Sequence, residues 1–332
     1  MAGAIAILNS NTMAQTSSSW RDLPRRILTV AIGVPSIILL LQNTVTSWLF
    51  FQGAHLICLL EWRALVPLLP PSLSSADEKR DGEDALSLLS QYSMSVFSIA
   101  SFLITILPPA LLPPALMASG ILLRLLPHLP MCQTKVKSSA EYIYLTIQHY
   151  QFGLLYLSIG FHFIIRIAVS SDRGAYHIGN LLFVVWMSDT GALVFGRVMK
   201  STTTRQQQQN QAESKHNQKG FILECLQSIS PGKTMYGLFG AIITGPISAI
   251  LYPMAFASSN ELSEVDNPLA QRAMLGFILA IAGIIGDLAE SSVKRLSTKK
   301  DSGKLLPGHG GVVDRFDSLL SSAVVYYYWM SV

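Results

Sequence analysis

Residues 283–318 read GIIGDLAESSVKRLSTKKDSGKLLPGHGGVVDRFDS. The stretch leaves an apolar run, turns charged with a helical spacing, and then breaks at Pro and Gly before ending on DRFD. If residues 286–298 continue as helix, Asp287, Glu290 or Ser291, and Lys294 recur on one face. A carboxylate pair with a lysine one turn below can hold a divalent cation and meet a phosphate beside it. An amphipathic helix lying along anionic headgroups, with a solvated basic end from Lys294 to Lys304, would account for the same residues.

The loop that follows tips the balance. KDSGKLLPGHGG cannot continue a helix, and the adjacent Gly310 and Gly311 let backbone N–H groups approach an anion closely. Asp314 and Asp317 lie three residues apart with Arg315 between them. Carboxylates for a metal, cations for phosphates and backbone donors together form the set that phosphoryl and nucleotidyl transfer use. His309 is equally readable as a catalytic group and as a loop histidine bonding its neighbours.

The rest of the chain says where this loop sits. Half of the 332 residues are hydrophobic and 13% are charged, against roughly a quarter in soluble domains. Apolar runs recur at Ile27–Leu41, Val45–Leu60, Tyr92–Ile106, Leu111–Leu126, Phe152–Ile167, His177–Phe195, Met235–Phe256, Arg272–Ile285 and Leu319–Met330. The pattern predicts an all-α, polytopic integral membrane protein of about nine transmembrane helices. With the N-terminus inside, every Lys and Arg except Arg166, Arg173 and Arg272 falls on the interior side, as the positive-inside rule asks. That places residues 197–234 and 286–318 on the face where nucleotides are.

A formal charge of +4 is too small to argue for nucleic acid. Cys58, Cys132 and Cys225 lack metal-ligand spacing and predict no disulfide framework. Residues 1–23 form a polar N-terminal segment, and 71–90 read as a solvated linker. The run STTTRQQQQNQAESKHNQK, 201–219, is polar and low in complexity, and is expected to be an unordered insertion.

Two further candidates lie upstream. SPGKT at Ser230–Thr234 lacks the first glycine of a Walker A loop and follows no predicted strand, so a P-loop does not fit. Ser230, Lys233 and Thr234 still form a donor set entering a span, suited to phosphate at a helix N-terminus. Asp189 lies inside an apolar run, where an ionisable residue is costly and marks a functional site by default. Its partner would be Arg197, in an ion pair, or a metal shared with Asp287. Glu61 and Arg63 sit at a span end, where they are expected to snorkel as structural residues.

These residues match a known pattern. Ser291-x-Val293-Lys294-Arg295, Lys300-Asp301-x-Gly303, Pro307-x-His309-Gly310-Gly311 and Asp314-Arg315-x-Asp317 resemble the signature of the phosphatidate cytidylyltransferases, the CDP-diacylglycerol synthases. The likeness extends to Arg26–Thr29, to Trp186–Arg197 and to the Ser-Pro-x-Lys-Thr loop, and so to a membrane domain over residues 24–332. The Leu-Pro-Gly-His-Gly-Gly loop is most similar to the bacterial and plastid branch. One departure is Met235-Tyr236-Gly237, where the family usually reads Trp-Glu-Gly, removing a carboxylate from beside the nucleotide or metal.

The resemblance implies transfer of CMP from CTP to phosphatidic acid, releasing pyrophosphate, with Mg²⁺ as cofactor and room for a second monovalent or divalent cation. It assigns Asp287 and Asp314 to the metal, with Glu290 and Asp189 beside them, and Lys294 and Arg315 to the reacting phosphates. Ser230, Lys233, Thr234, Arg295, Lys300, His309, Gly310 and Gly311 are expected to bind substrate. The expected partners are CTP, phosphatidic acid, the bilayer and a second copy of the chain. The expected location is a membrane, that of a plastid or the endoplasmic reticulum if the source is eukaryotic, with the site facing the cytoplasm, stroma or matrix. The rivals are a CTP-dependent lipid-alcohol kinase of the dolichol or phytol type, which would release CDP, and a transporter.

Overall fold

The computed structural model describes residues 33, 35–66, 93–112, 140–170, 173–209, 230, 233–256, 268–305 and 310–330. Among them the chain is helical throughout, without an extended strand. The helices are α1 (Thr44–Ala64), α2 (Ser93–Ile106), α3 (Ala140–Gly153), α4 (Ile159–Val169), α5 (Gly174–Gln209), α6 (Met235–Phe256), α7 (Leu269–Leu296) and α8 (Val313–Met330). A π-helical turn, Leu154–Ser158, joins α3 to α4 without a break.

Four helical stretches are long and apolar enough to cross a membrane: Thr146–Val169, Gly174–Met199, Met235–Phe256 and Leu269–Leu296. They coincide with four of the expected spans. The shorter apolar helix α2 covers a fifth, and the expected spans at Val45–Leu60 and Leu319–Met330 lie within α1 and α8. Most of Leu111–Leu126, much of the first run, the linker 71–90, Cys132 and Cys225 lie outside the described residues.

Around a buried apolar core, several helices also turn aliphatic side chains outward and polar ones inward. Helix α1 exposes Val45, Leu49, Leu56 and Leu60 and buries Ser47, Gln52 and His55. Gln52 Nε2 donates to Thr105 Oγ1 at 3.0 Å, and His55 Nε2 lies 2.8 Å from Ser101 Oγ, which meets Ser158 Oγ at 2.5 Å. Polar groups paired inward and aliphatic groups facing outward are what a lipid solvent selects. Helix α6 repeats the pattern, exposing Phe239, Ile243, Ile247 and Leu251 while burying Gly240, Ala241, Gly245 and Ser248.

Small residues set the spacing around α6. At Gly245 and Gly276 the backbones of α6 and α7 touch, and a Cβ on either would strike the other's chain. Between α5 and α6, a Cβ at Gly240 would strike the Gly191 carbonyl, and one at Gly191 would strike the Thr244 side chain. Such close approach gains dispersion contact that lipid cannot replace.

One local feature departs from expectation and another agrees with it. Helix α5 runs on through residues 201–209, so the start of the Thr/Gln run is ordered as helix. Glutamine is a good helix former, and extending an existing helix avoids the cost of nucleation. Residues 210–219 lie outside the described part. At the other boundary, α7 does continue as one helix to Leu296. It ends in a Schellman-type cap, with Thr298 N donating to Arg295 O at 3.0 Å and Lys299 N to Lys294 O at 2.9 Å. The left-handed position is Thr298, at φ 56°, where a glycine is usual.

Candidate active site

Three helix ends meet at one end of the bundle: the start of α6, the last turns of α7 and the start of α8. Helix α7 presents Asp287, Glu290, Ser291 and Lys294 along one side, as its spacing predicts. Helix α8 adds Asp317. Carboxylate oxygens of Asp287, Glu290 and Asp317 all lie within 4.8 Å of one another.

Cations flank this trio. Lys233 Nζ, just before α6, lies 2.7 Å from Asp287 Oδ2. Lys294 Nζ bridges Glu290 Oε2 at 2.6 Å and Asp314 Oδ1 at 2.8 Å. Ser291 Oγ donates to Asp287 Oδ1 at 3.2 Å. Thr234 caps α6, its Oγ1 accepting from Gly237 N at 3.1 Å, and Ser230 O accepts from Lys233 N at 3.1 Å to close the turn before it.

Asp314 stands apart from the trio. Its oxygens accept from Lys294 Nζ, from Ser302 N at 3.2 and 3.1 Å, and from Gly311 N at 2.8 Å. Burial pushes its carboxyl up, but hydrogen bonding to Glu290, Lys294 and Gly311 outweighs that and holds it down at about 2. With its lone pairs occupied, Asp314 organises the loop and Lys294. Asp317 is the opposite case: burial, and then the charge of Asp287, push its carboxyl well up.

A divalent cation fits the trio. Among the described residues Oε1 of buried Glu290 has no hydrogen-bond partner, and carboxylates this close repel one another unless a cation sits among them. Hard carboxylate oxygens are the donors that magnesium takes. Asp189, accessible on α5, has Ser318 within hydrogen-bonding reach, and Asp287, Lys233 and Arg315 act on it electrostatically. The expected neighbourhood with Asp287 is therefore present.

The remaining expected residues are peripheral. Arg295, Lys300 and Arg315 are exposed around the rim. Gly310 occupies the left-handed region at φ 82°, and a Cβ there would meet Asp314 Oδ2. Gly311 is buried. His309 lies outside the described residues, with Leu306, Pro307 and Gly308.

Two residues of the surroundings were not legible beforehand. Tyr156, in the π-turn, donates to Gly286 O at 3.0 Å and Asp317 O at 2.8 Å, bracing both acidic helices. π-turns recur at functional sites, but nothing in LLYLS announces one. Glu61 does not snorkel: it is buried, with Val312 N, Val313 N and Ser302 Oγ donating to it. Its partners are more than 240 residues away in sequence, so no local spacing could have revealed them.

Residues 223–332 match the model of the cytidylyltransferase family. The chain is similar to phosphatidate cytidylyltransferases of Staphylococcus haemolyticus, 36% identical over 168 residues, and Staphylococcus aureus, 34% identical over 170 residues. Each match covers 51% of this chain and 53% of the relative. A third relative, an uncharacterized Escherichia coli protein called YnbB, is 41% identical over 102 residues, 31% of this chain and 32% of its own. The chain thus spans about half the length of the curated relatives it matches. The site's principal residues, from Lys233 to Asp317, fall in the matched segment. Motifs and matches agree: residues 223–332 of this chain are similar to the cytidylyltransferase family.

Proposed function

We propose that the protein transfers CMP from CTP to phosphatidic acid, producing CDP-diacylglycerol and pyrophosphate. The observation that carries this reading is the meeting of three carboxylates with Lys233 and Lys294 inside the segment that matches the cytidylyltransferase family model, in a chain similar to phosphatidate cytidylyltransferases. In the reaction a lipid phosphate oxygen bonds to the α-phosphorus of CTP while the bond from that phosphorus to the β-bridging oxygen breaks. The nucleophile is already ionised at neutral pH, so no strong base is needed; the protein supplies positioning and charge neutralisation.

In this reading Asp287, Glu290 and Asp317 hold Mg²⁺, and Asp189 borders a place for a second cation. The metal, when bound, neutralises phosphate charge. Lys233 and Lys294 meet the phosphates, and Ser230 and Thr234 turn hydroxyls toward them. Exposed Arg295, Lys300 and Arg315 draw the anionic substrates to the rim, while Gly310, Gly311 and His309 take part in binding them. Asp314 takes the role of holding Lys294 and the loop.

The same reading gives residues 24–332 about nine membrane crossings, with 1–23 and 201–219 as additions to that domain. The site then faces the cytoplasm, or the stroma or matrix of an organelle, and two copies of the chain pair in the bilayer.

The test is transfer of label from α-labelled CTP into chloroform-soluble lipid by purified protein with phosphatidic acid and Mg²⁺. Labelled lipid with release of pyrophosphate is expected. Release of CDP instead would make the protein a lipid kinase, and no label above an empty-membrane control, with the protein shown folded, would end the enzyme reading.

A further inference from the structure

Glu61 lies in the last turn of α1, in the part of the chain outside the family match, yet it closes the loop between α7 and α8. Its Oε2 accepts from Ser302 Oγ at 2.9 Å and from Val313 N at 2.9 Å, and its Oε1 accepts from Val312 N at 3.0 Å. The two amides are orphan donors at the start of α8, where the helix dipole favours an anion. The loop passes so near that a Cβ at Gly303 or Gly311 would collide with the Glu61 carboxyl.

The opposite side of the same loop is tied by Asp314, which accepts from Ser302 N and Gly311 N. Ser302 and Gly311 to Val313 are therefore clamped between two carboxylates, one brought by α1 and one by α8. Asp314 in turn holds Lys294, and Lys294 holds Glu290. A line of contacts runs from Glu61 through the loop to the carboxylate trio.

We propose that Glu61 is a positioning residue for CMP transfer: it seats the loop on α1 and so fixes where Asp314 sets Lys294. This rests on the activity proposed above. Both length and chemistry matter. Aspartate would withdraw the oxygens by one C–C bond, about 1.5 Å. Glutamine would turn an NH₂ toward one of three groups that are themselves donors.

The experiment uses full-length protein in lipid nanodiscs, with wild type, Glu61→Gln, Glu61→Asp and Ser302→Ala. Amide exchange across 302–313 is followed beside steady-state transfer. In Glu61→Gln and Glu61→Asp, exchange there should rise about tenfold while peptides from 235–256 stay unchanged, since a hydrogen bond to a charged group is worth about that factor or more. In the same two variants kcat should fall about tenfold, with KM for CTP within about threefold, because the loss falls on the transition state and not on ground-state binding. Ser302→Ala, which deletes a single bond, should show the same local loosening at smaller size and decides the matter if the Glu61 variants fail to fold.

Unchanged exchange across 302–313 in an active enzyme overturns this proposal alone. So does full kcat in a variant whose loop has loosened. A wild type that is folded but transfers nothing sinks the activity reading first, and the positioning role with it.

Discussion

Lys294 and Asp314, twenty residues apart, meet at 2.8 Å and join the last turns of α7 to the first turn of α8. Lys294 also lies 2.6 Å from Glu290, so one ammonium serves two carboxylates from different helices. The pair couples the loop to the carboxylate trio, and that coupling can be tested.

Asp314→Asn preserves shape but weakens the pair and the loop's backbone contacts. Transfer should fall about 100-fold, the scale at which a lost electrostatic partner acts in a reaction of this type. Expression and membrane insertion should remain, since Glu290 still pairs Lys294. Labelled lipid per mole of folded protein is the measurement, and turnover within a factor of two of wild type would remove Asp314 from the machinery.

Tyr156→Phe removes the hydroxyl that braces Gly286 and Asp317. Groups that orient metal ligands matter to metal affinity by about 10–100-fold. The Mg²⁺ concentration for half-maximal transfer should rise about tenfold, with the rate at saturating Mg²⁺ nearer to wild type. A metal titration of both proteins separates this from a general loss of fold.

Lys233→Met leaves Asp287 without its ion pair and removes the proposed phosphate contact. KM for CTP should rise about tenfold or more, while phosphatidic acid dependence changes less, as expected for a charge-assisted contact worth about 1.5–3 kcal/mol. Substrate titrations in mixed micelles will show which arm moves.

Gly276→Val would push α7 from α6, because the Gly276 Cβ position is already filled by the backbone at Gly245. Overpacking of this kind costs about 1–3 kcal/mol or more. The variant should lose several degrees of thermal midpoint in detergent, and its Lys233–Asp287 pair should open. A midpoint equal to wild type would show that the two helices can separate freely.

Much of the site could be read from spacing. The α7 face of Asp287, Glu290 and Lys294 follows from the helical period, and the donor set at Ser230–Thr234 from its place before a span. DRFD was harder: its two aspartates are equivalent in sequence, and only the loop's amides, folded back onto Asp314, leave Asp317 for the trio. Glu61 and Tyr156 were out of reach for another reason. Their roles depend on contacts more than a hundred residues away, and neither contact leaves a local pattern. The helical start of the Gln-rich run follows from the span that feeds it, which composition alone does not register.

The π-turn at Leu154–Ser158 carries a consequence for how this chain can tolerate change. A helix turns about 100° per residue, so the wider turn acts as a rotational shim between α3 and α4. On one side of it His149 stacks on Trp62, ring centroids 5.0 Å apart; within it Tyr156 reaches the acidic helices. Deleting a single residue there would bring the segment back to ordinary α-helical pitch and swing one of these contacts out of register. Length at this point of the chain is therefore fixed more tightly than residue identity.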